Sequence, residues 1–161
     1  MKKYTYTETK DTRSGFGAGL IEAARENENI VGLCADLTGS LKMNAFENEF
    51  PERFFQVGIS EANMMSMAAG MGLCGMRPVI YTITPFTTLR CLEQIRIGVA
   101  YHQSPVVIVG TGSGLSYSEL GPTHHSFLRK RIKPGSIRNL QYDLLDVEIG
   151  ESWPVPVTVL H

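Results

Sequence analysis

Glu61 is the residue whose place in the sequence most clearly suggests chemistry. It follows Ser60, a residue type that often caps helices, and it opens a stretch, 61–75, that is rich in alanine, methionine and glycine. A carboxylate at the start of a helix can simply complement the positive end of the helix dipole. Because this helix is almost wholly apolar, a partly desolvated carboxylate there could also carry out acid–base chemistry. The residues alone favour the dipole interpretation.

Two further polar segments are candidates for ligand binding. Residues 36–40, Asp-Leu-Thr-Gly-Ser, could hold a polar ligand through side chains and backbone N–H groups. They could equally form a capping turn before the next helix, and alone they favour that turn. Residues 121–125, Gly-Pro-Thr-His-His, predict an ordered turn from which His124 could donate a hydrogen bond to a substrate. Adjacent histidines point in different directions, so no metal site is expected there.

The glycines at 110–114 invite comparison with dinucleotide-binding loops but depart from their pattern. Their spacing is G-x-G-x-G rather than G-x-G-x-x-G, and the following residues, 115–118, do not open a convincing helix. A nucleotide site is therefore not expected.

The elements that must position these residues alternate along the chain. Apolar runs typical of buried parallel strands occur at 30–35, 54–57, 79–83 and 106–109. Helical patterns occur at 13–27, 41–50, 61–75 and 86–101. This alternation predicts an α/β fold, a parallel sheet flanked by helices on both faces in three layers, with ligands bound at the carboxyl ends of the strands. The prolines within 153–160 permit at most an edge strand there.

Length and charge exclude several classes of function. The chain has 161 residues, enough for one ordinary domain, and 15 lysines and arginines nearly balance 16 aspartates and glutamates. This balance offers no basic platform for nucleic acid or for an anionic membrane, and the basic residues within 129–133 are expected to be a solvated face. No apolar run approaches the ~18 residues that a membrane-spanning helix needs, and no secretory signal is evident, so a cytoplasmic protein is expected. Three cysteines without C-x-x-C spacing are expected to be buried, reduced thiols.

Five segments occur in an informative order and at informative separations. They are Ala-Asp-Leu-Thr-Gly-Ser at 35–40, Phe-Pro-Glu-Arg-Phe at 50–54, Gly-Ile-Ser-Glu-Ala-Asn-Met at 58–64, Ala-Ala-Gly at 68–70 and Gly-Pro-Thr-His at 121–124. Together they resemble the pyrimidine-binding domain of the transketolase and deoxyxylulose-phosphate synthase family. The resemblance divides the chain into such a domain at 1–126 and a divergent or truncated C-terminal segment at 127–161.

The resemblance implies thiamine diphosphate as cofactor and makes Glu61 more than a dipole partner. In this family the corresponding glutamate hydrogen-bonds the ring nitrogen of the aminopyrimidine and favours its imino tautomer, so Glu61 is implied as catalytic. His124 is implied as a second catalytic residue that contacts substrate, and Phe86 as an aromatic that packs on the pyrimidine. The resemblance implies that the cofactor is bound by Asp36, Leu37, Glu61, Ile83 and Phe86. It implies that the substrate is bound by Arg13, Ser40 and His124.

The resemblance also implies that half of the site lies on another chain. Family members bind the diphosphate through magnesium held by Gly-Asp-Gly and a downstream asparagine, and Gly-Asp-Gly does not occur in this sequence. The magnesium ligands are therefore expected on a diphosphate-domain partner subunit, in a homodimer or heterotetramer. The chain alone is expected to be inactive.

The implied reaction is ketol transfer between sugars or sugar phosphates, although several family positions are changed. Ile83 and Leu89 replace aromatic residues, and Gly112 and Leu120 replace polar contacts to the sugar. The pattern looks more like the split, two-subunit transketolase-like proteins. The alternative is a non-catalytic binding or assembly module that retained the fold.

Overall fold

Five parallel strands form one sheet in the computed structural model, which describes residues 11–126 and 157–160. In chain order the strands are β1 (Ile30–Cys34), β2 (Phe54–Gln56), β3 (Arg77–Ile83), β4 (Val107–Thr111) and β5 (Val157–Leu160). They lie in the sheet in the order β2-β1-β3-β4-β5. The predicted basic face at 129–133 lies outside the described residues.

Helices connect the strands along the chain. The α-helices are α1 (Thr12–Glu26), α2 (Asn44–Glu49), α3 (Glu61–Leu73) and α4 (Thr84–Thr87), and a π-helical segment covers Gln94–Tyr101. Short 3-10 turns occur at Pro51–Arg53, Leu89–Cys91 and Ser118–Leu120. Asp11 begins α1 as its N-cap, because its side chain accepts a hydrogen bond from the Ser14 N–H at 3.0 Å.

The sheet is covered on both faces because successive strand residues point to opposite sides. On one face α3 and the π-helical segment bury a cluster that includes Leu33, Ile80 and Ile108. On the other face α1 and α2 bury a cluster that includes the next residue of each of those strands, namely Cys34, Tyr81 and Val109. The predicted three-layer α/β fold is confirmed.

The register brings the carboxyl ends of the strands to one edge. Cys34 pairs with Gln56 on one side and with Tyr81 on the other, and Tyr81 pairs with Val109. The segments that follow β1 to β4 therefore leave the sheet close together, as expected for a ligand-binding edge.

The prediction of a single helix over 86–101 was wrong. The chain instead forms α4, a 3-10 turn and the π-helical segment. The hydroxyls of Thr87 and Thr88 both donate to the Thr84 carbonyl, at 3.0 and 2.7 Å, and the backbone of Thr88 leaves the helical region at φ −113° and ψ −88°. This break determines where Phe86 and Arg90 project.

Two smaller predictions also need correction. Helix α2 begins at Asn44 rather than at 41, because the Met43 N–H bonds the Thr38 carbonyl at 3.0 Å in a turn that passes through Lys42 at φ +61°. Cys74 is exposed rather than buried, because it lies at the C-cap of α3, where the chain turns toward Gly75.

Strand β5 pairs in parallel with β4 and forms an edge of the sheet. An edge position agrees with the limit set by the prolines that precede it in the sequence. The division of the chain at residue 126 stays a prediction.

Candidate functional site

Glu61 is a buried carboxylate at the edge where the carboxyl ends of the strands meet. It is the first residue of α3, and its side chain is only 4% exposed. Its Oε1 accepts a hydrogen bond from Arg90 Nη1 at 2.8 Å, whereas the Arg90 side chain is 42% exposed. The ion pair offsets the cost of burying the carboxylate, so Glu61 does more than complement a helix dipole.

Phe86 lies next to this ion pair. The Cζ atom of Arg90 is 3.9 Å from the centroid of the Phe86 ring, a distance at which the guanidinium is attracted to the aromatic face. The Phe86 carbonyl accepts a hydrogen bond from Cys91 Sγ at 3.1 Å. Burial raises the pKa of the Cys91 thiol to about 12, and the negative charge of Glu61 acts in the same direction. The thiol therefore stays protonated and serves as a donor.

Helix α4, which carries Phe86, is held against the end of β4. Thr84 Oγ1 donates to the Thr111 carbonyl at 3.0 Å across the sheet edge. This close approach requires Gly110, since a Cβ there would lie 2.9 Å from Thr84 Oγ1 and 3.0 Å from Thr87 Oγ1. The first glycine of the 110–114 cluster thus serves helix packing rather than phosphate binding.

His124 completes a series of contacts that begins at Glu61. Its ring lies 5.0 Å from that of Phe86, edge to face, and 6.2 Å from that of Tyr117. Its Nδ1 is 2.9 Å from Thr123 Oγ1. Gly112, at φ +69°, leaves room for the Tyr117 ring, which a Cβ would overlap. We call Glu61, Arg90, Phe86, His124 and Tyr117 the Glu61 cluster.

The loops after β1 and β2 are joined by Gln56. Its Oε1 accepts from the backbone N–H groups of Asp36 at 2.7 Å and Gly58 at 2.9 Å, and its Nε2 donates to Thr38 Oγ1 at 3.1 Å. Asp36 is exposed and has φ +57°, an uncommon conformation for a residue with a side chain. Gln56 therefore fixes the polar segment 36–40 beside the loop that leads into Glu61.

Arg13 and Ser40 come together on the α1 side of the same edge. Arg13 Nη1 donates to the Ser40 carbonyl at 3.2 Å. The approach of α1 to this loop depends on Gly17, where a Cβ would lie 2.7 Å from the Lys42 carbonyl oxygen. Burial raises the pKa of Tyr81 on β3, and the nearby positive charge of Arg13 acts in the opposite direction. The Arg13 side chain is 37% exposed.

The structure joins three of the eight predicted site residues in one cluster, in which Arg90 links Glu61 to Phe86. Glu61, Phe86 and His124 belong to one cluster, and Arg13 pairs with Ser40. Leu37 is half-buried against the α1 face of the core, and Ile83 is buried at the end of β3, where α4 begins.

Three residues of this edge were missed by the sequence reasoning, namely Arg90, Gln56 and Tyr117. Arg90 was missed because residues 86–101 were predicted to form one helix. An arginine among apolar residues, shortly after a candidate aromatic, could have indicated a site residue. Gln56 ends a strand, and nothing in its sequence context indicates its three hydrogen bonds. Tyr117 follows a glycine cluster, and the need for Gly112 becomes visible only with the ring beside it.

Metal ligands and membrane spans are both lacking in the part of the chain that the structure describes. Within residues 11–126 and 157–160, no three His, Cys, Asp or Glu side chains are grouped closely enough to hold a metal ion. No helix in that part is long and apolar enough to cross a membrane.

The fold and site define an α/β domain whose ligand-binding edge carries a buried carboxylate beside a group of aromatic rings. Residues 8–131 match the transketolase pyrimidine-binding domain family model. The chain therefore belongs to the transketolase pyrimidine-binding domain family, as the five sequence segments suggested.

Individual relatives agree with this assignment. A putative transketolase C-terminal section from Methanocaldococcus jannaschii is 43% identical over 115 residues, which are 71% of this chain and 36% of the relative. One of the subunits of an apulose-4-phosphate transketolase, from Phocaeicola vulgatus, is 35% identical over 114 residues, which are 71% of this chain and 36% of that protein. The chain thus spans about a third of the length of these relatives.

Solved structures show the same fold. A split-gene transketolase, described as an inactive beta4 tetramer, is 42% identical with a TM-score of 0.59 over 64% of this chain and 34% of that one. Transketolase from Leishmania mexicana is 26% identical with a TM-score of 0.66 over 76% of this chain and 19% of that one.

Proposed function

We propose that this chain is the pyrimidine-binding subunit of a thiamine-diphosphate-dependent transketolase-like transferase that moves ketol groups between sugars or sugar phosphates. The observation that carries the proposal is the buried Glu61 carboxylate, which Arg90 links to the Phe86 ring, at the carboxyl edge of a parallel sheet. An aminopyrimidine needs these two partners, a carboxyl group that donates a hydrogen bond to its ring nitrogen and an aromatic plane for its face. The residues present therefore fit the pyrimidine half of the cofactor.

In this proposal Glu61 and Phe86 hold the cofactor. The Glu61 carboxyl donates a hydrogen bond to the ring nitrogen, and the position of that carboxyl at the start of α3 fixes the direction of the bond. Phe86 packs against the ring, and Asp36, Leu37 and Ile83 line its surroundings. Thiamine diphosphate supplies, when bound, the nucleophilic carbon that carries the carbon–carbon bond chemistry.

Arg13, Ser40 and His124 face the substrate in the same proposal. Arg13 lies beside the loop that contains Ser40, so a positive charge and a hydroxyl are available for a substrate phosphate. His124 contacts Phe86 at the ring edge and would reach a substrate hydroxyl or carbonyl next to the cofactor. In this arrangement His124 orients the substrate from within the Glu61 cluster, and Arg13 and Ser40 do so from the α1 side of the edge.

A second chain supplies the other half of the site in this proposal. The diphosphate and its magnesium ion would be held by a diphosphate-domain subunit, in a homodimer or heterotetramer. A relative that is named as one subunit of a transketolase, and a split-gene transketolase described as an inactive beta4 tetramer, support a division of labour between chains.

Titration calorimetry tests the half-site. The isolated chain, titrated with thiamine diphosphate and magnesium, is expected to bind far more weakly than the chain together with a co-purified diphosphate-domain subunit. Submicromolar binding by the isolated chain would refute the division of the site between chains. A stable oligomer that contains this chain alone and binds no such subunit would favour the non-catalytic assembly module instead.

Substitution of Glu61 tests the catalytic role in the reconstituted complex. Glu61→Gln keeps the shape and removes the carboxylate, so ketol transfer should fall by at least about a hundredfold, the range typical of a lost proton-transfer group. Glu93→Gln is the matched control, because Glu93 is an exposed carboxylate that pairs with Arg96 at 3.1 Å, whereas Arg90 pairs with Glu61. Retained activity in Glu61→Gln would refute the role proposed for Glu61.

A further inference from the structure

Arg90 makes two contacts with the Glu61 cluster, and both use the flat guanidinium. Its Nη1 donates to Glu61 Oε1 at 2.8 Å, and its Cζ lies 3.9 Å from the centre of the Phe86 ring. A guanidinium is a planar cation with N–H donors in its plane and a face that stacks on aromatic rings. Arg90 thus presents a stacked plane and an in-plane donor to the same two residues.

These are the contacts that the proposed function assigns to the aminopyrimidine, which also needs a stacked plane on Phe86 and a bond to Glu61. Room for both groups is restricted, because Glu61 is only 4% exposed and the edge of His124 already lies against the Phe86 ring. A guanidinium at 2.8 Å from the carboxylate also repels positive charge that develops on a ring held there.

Among the side chains of Glu61, Phe86 and Arg90, that of Arg90 is the one that can move. Glu61 is the first residue of a helix that is buried at Met64 and Met65, and α4 is fixed to β4 through Thr84. Arg90 belongs to a three-residue turn, and its side chain is 42% exposed. A long side chain with solvent beside it changes rotamer in picoseconds to nanoseconds once its contacts are released.

We propose that Arg90 is an internal competitor for the pyrimidine position, which must release Glu61 and the Phe86 ring before an aminopyrimidine can bind there. This inference rests on the proposed function. An aminopyrimidine can bind only during the fraction of time that Arg90 spends away from Glu61. The apparent affinity for the aminopyrimidine is therefore the intrinsic affinity multiplied by that fraction. If that fraction is about one tenth, removal of Arg90 should tighten binding about tenfold, equivalent to about 1.4 kcal/mol.

The test measures binding without turnover. The probe is the hydroxymethyl aminopyrimidine that forms the pyrimidine half of thiamine, titrated by saturation-transfer NMR into the full chain. Arg90→Met keeps most of the aliphatic length and removes both contacts, so it should bind the probe about tenfold more tightly than the unmodified chain. Arg96→Met is the matched control, because Arg96 pairs with the exposed Glu93. The affinity of the Arg96→Met variant for the probe should equal that of the unmodified chain.

A second variant keeps the test decisive if Arg90→Met fails to fold, as judged by circular dichroism. Lysine at position 90 can still pair with Glu61 but cannot lie flat on Phe86, so Arg90→Lys should also tighten binding, by a smaller factor. Unchanged affinity in Arg90→Lys would then overturn the proposal.

The remaining outcomes separate this inference from the proposed function. Tighter binding that disappears in the Arg90→Met, Glu61→Gln double variant supports competition at Glu61. Equal or weaker binding in Arg90→Met, with binding by the unmodified chain that still depends on Glu61, overturns the competition and leaves the proposed function standing. Absence of Glu61-dependent binding in every variant up to millimolar probe overturns both.

Discussion

Replacement of Arg53 should destabilise the fold at the end of the sheet opposite the Glu61 cluster. Its guanidinium donates to the Ala24 carbonyl from both Nη atoms at 3.1 Å and to the Asn27 carbonyl at 3.2 Å, at the end of α1. Its Cζ also lies 4.0 Å from the centroid of Phe50. Arg53 thus caps the last turn of α1 from the segment that precedes β2.

The size of the effect follows from these contacts. Hydrogen bonds to a charged group contribute about 1.5–3 kcal/mol, and a partly exposed cation–aromatic contact contributes about 0.5–1 kcal/mol. Arg53→Met removes these donors from the Ala24 carbonyl and leaves the Asn27 carbonyl with the Ile30 N–H at 3.2 Å, so the free energy of unfolding should fall by about 2–4 kcal/mol. Arg53→Lys keeps one charged donor and should lose about half as much.

Urea unfolding followed by circular dichroism measures the loss. Arg25→Met is the matched control, since Arg25 also forms a close ion pair, with Glu49 at 2.6 Å, but 62% of its side chain is exposed, and solvent screens such pairs. Its unfolding midpoint should stay nearly unchanged. Equal effects of Arg53→Met and Arg25→Met, or a loss in Arg53→Met below about 1 kcal/mol, would show that Arg53 does not cap α1.

Three further predictions test other parts of the described fold. Gly70 lies exposed within α3 with open space around the position of a Cβ, so Gly70→Ala should stabilise the isolated chain by about 0.5–1 kcal/mol, and a lower unfolding midpoint would contradict that packing. Cys74 is exposed and the other two thiols are buried, with the pKa of Cys91 raised to about 12 by burial, so a disulfide reagent at pH 8 should modify one thiol quickly and three after unfolding. Hydrogen bonds from Ser14 lower the pKa of Asp11, so this cap should stabilise the folded chain above pH about 4 and lose its effect as the pH falls further. In a plot of melting temperature against pH between 3 and 6, Asp11→Asn should therefore show a smaller decrease at low pH than the unmodified chain.

The parallel fold could be predicted from the sequence because burial on both faces leaves a plain signal. The runs that became β1, β3 and β4 are continuous apolar stretches, and the helices between them have the spacing of one buried face. The segment after β3 could not be predicted in the same way. Its apolar positions fit a continuous helix, and the break depends on the hydroxyls of Thr87 and Thr88, which bond the backbone within the same turn.

The sequence could predict those parts of the site that lie in the segments directly after the strands. Glu61 could be located at a helix start from Ser60 and the small residues after it, and the structure agrees. The proximity of Phe86 and His124 joins positions 38 residues apart and was implied by the family resemblance alone. Arg90 shows what such patterns omit, because an ion pair between elements depends on where a side chain projects.

The position of β1 between β2 and β3 has a consequence for folding during synthesis. Strand β1 leaves the ribosome before both of its neighbours in the sheet, β2 and β3, which lie within the next 53 residues, since β3 ends at Ile83. Strands β2 and β3 can therefore pair with β1 on either side through connections of modest length, whose closure entropy is small. The residues of the Glu61 cluster on α3 and α4 emerge onto an edge that β1 to β3 have already formed, whereas His124 joins them only after β4 has paired.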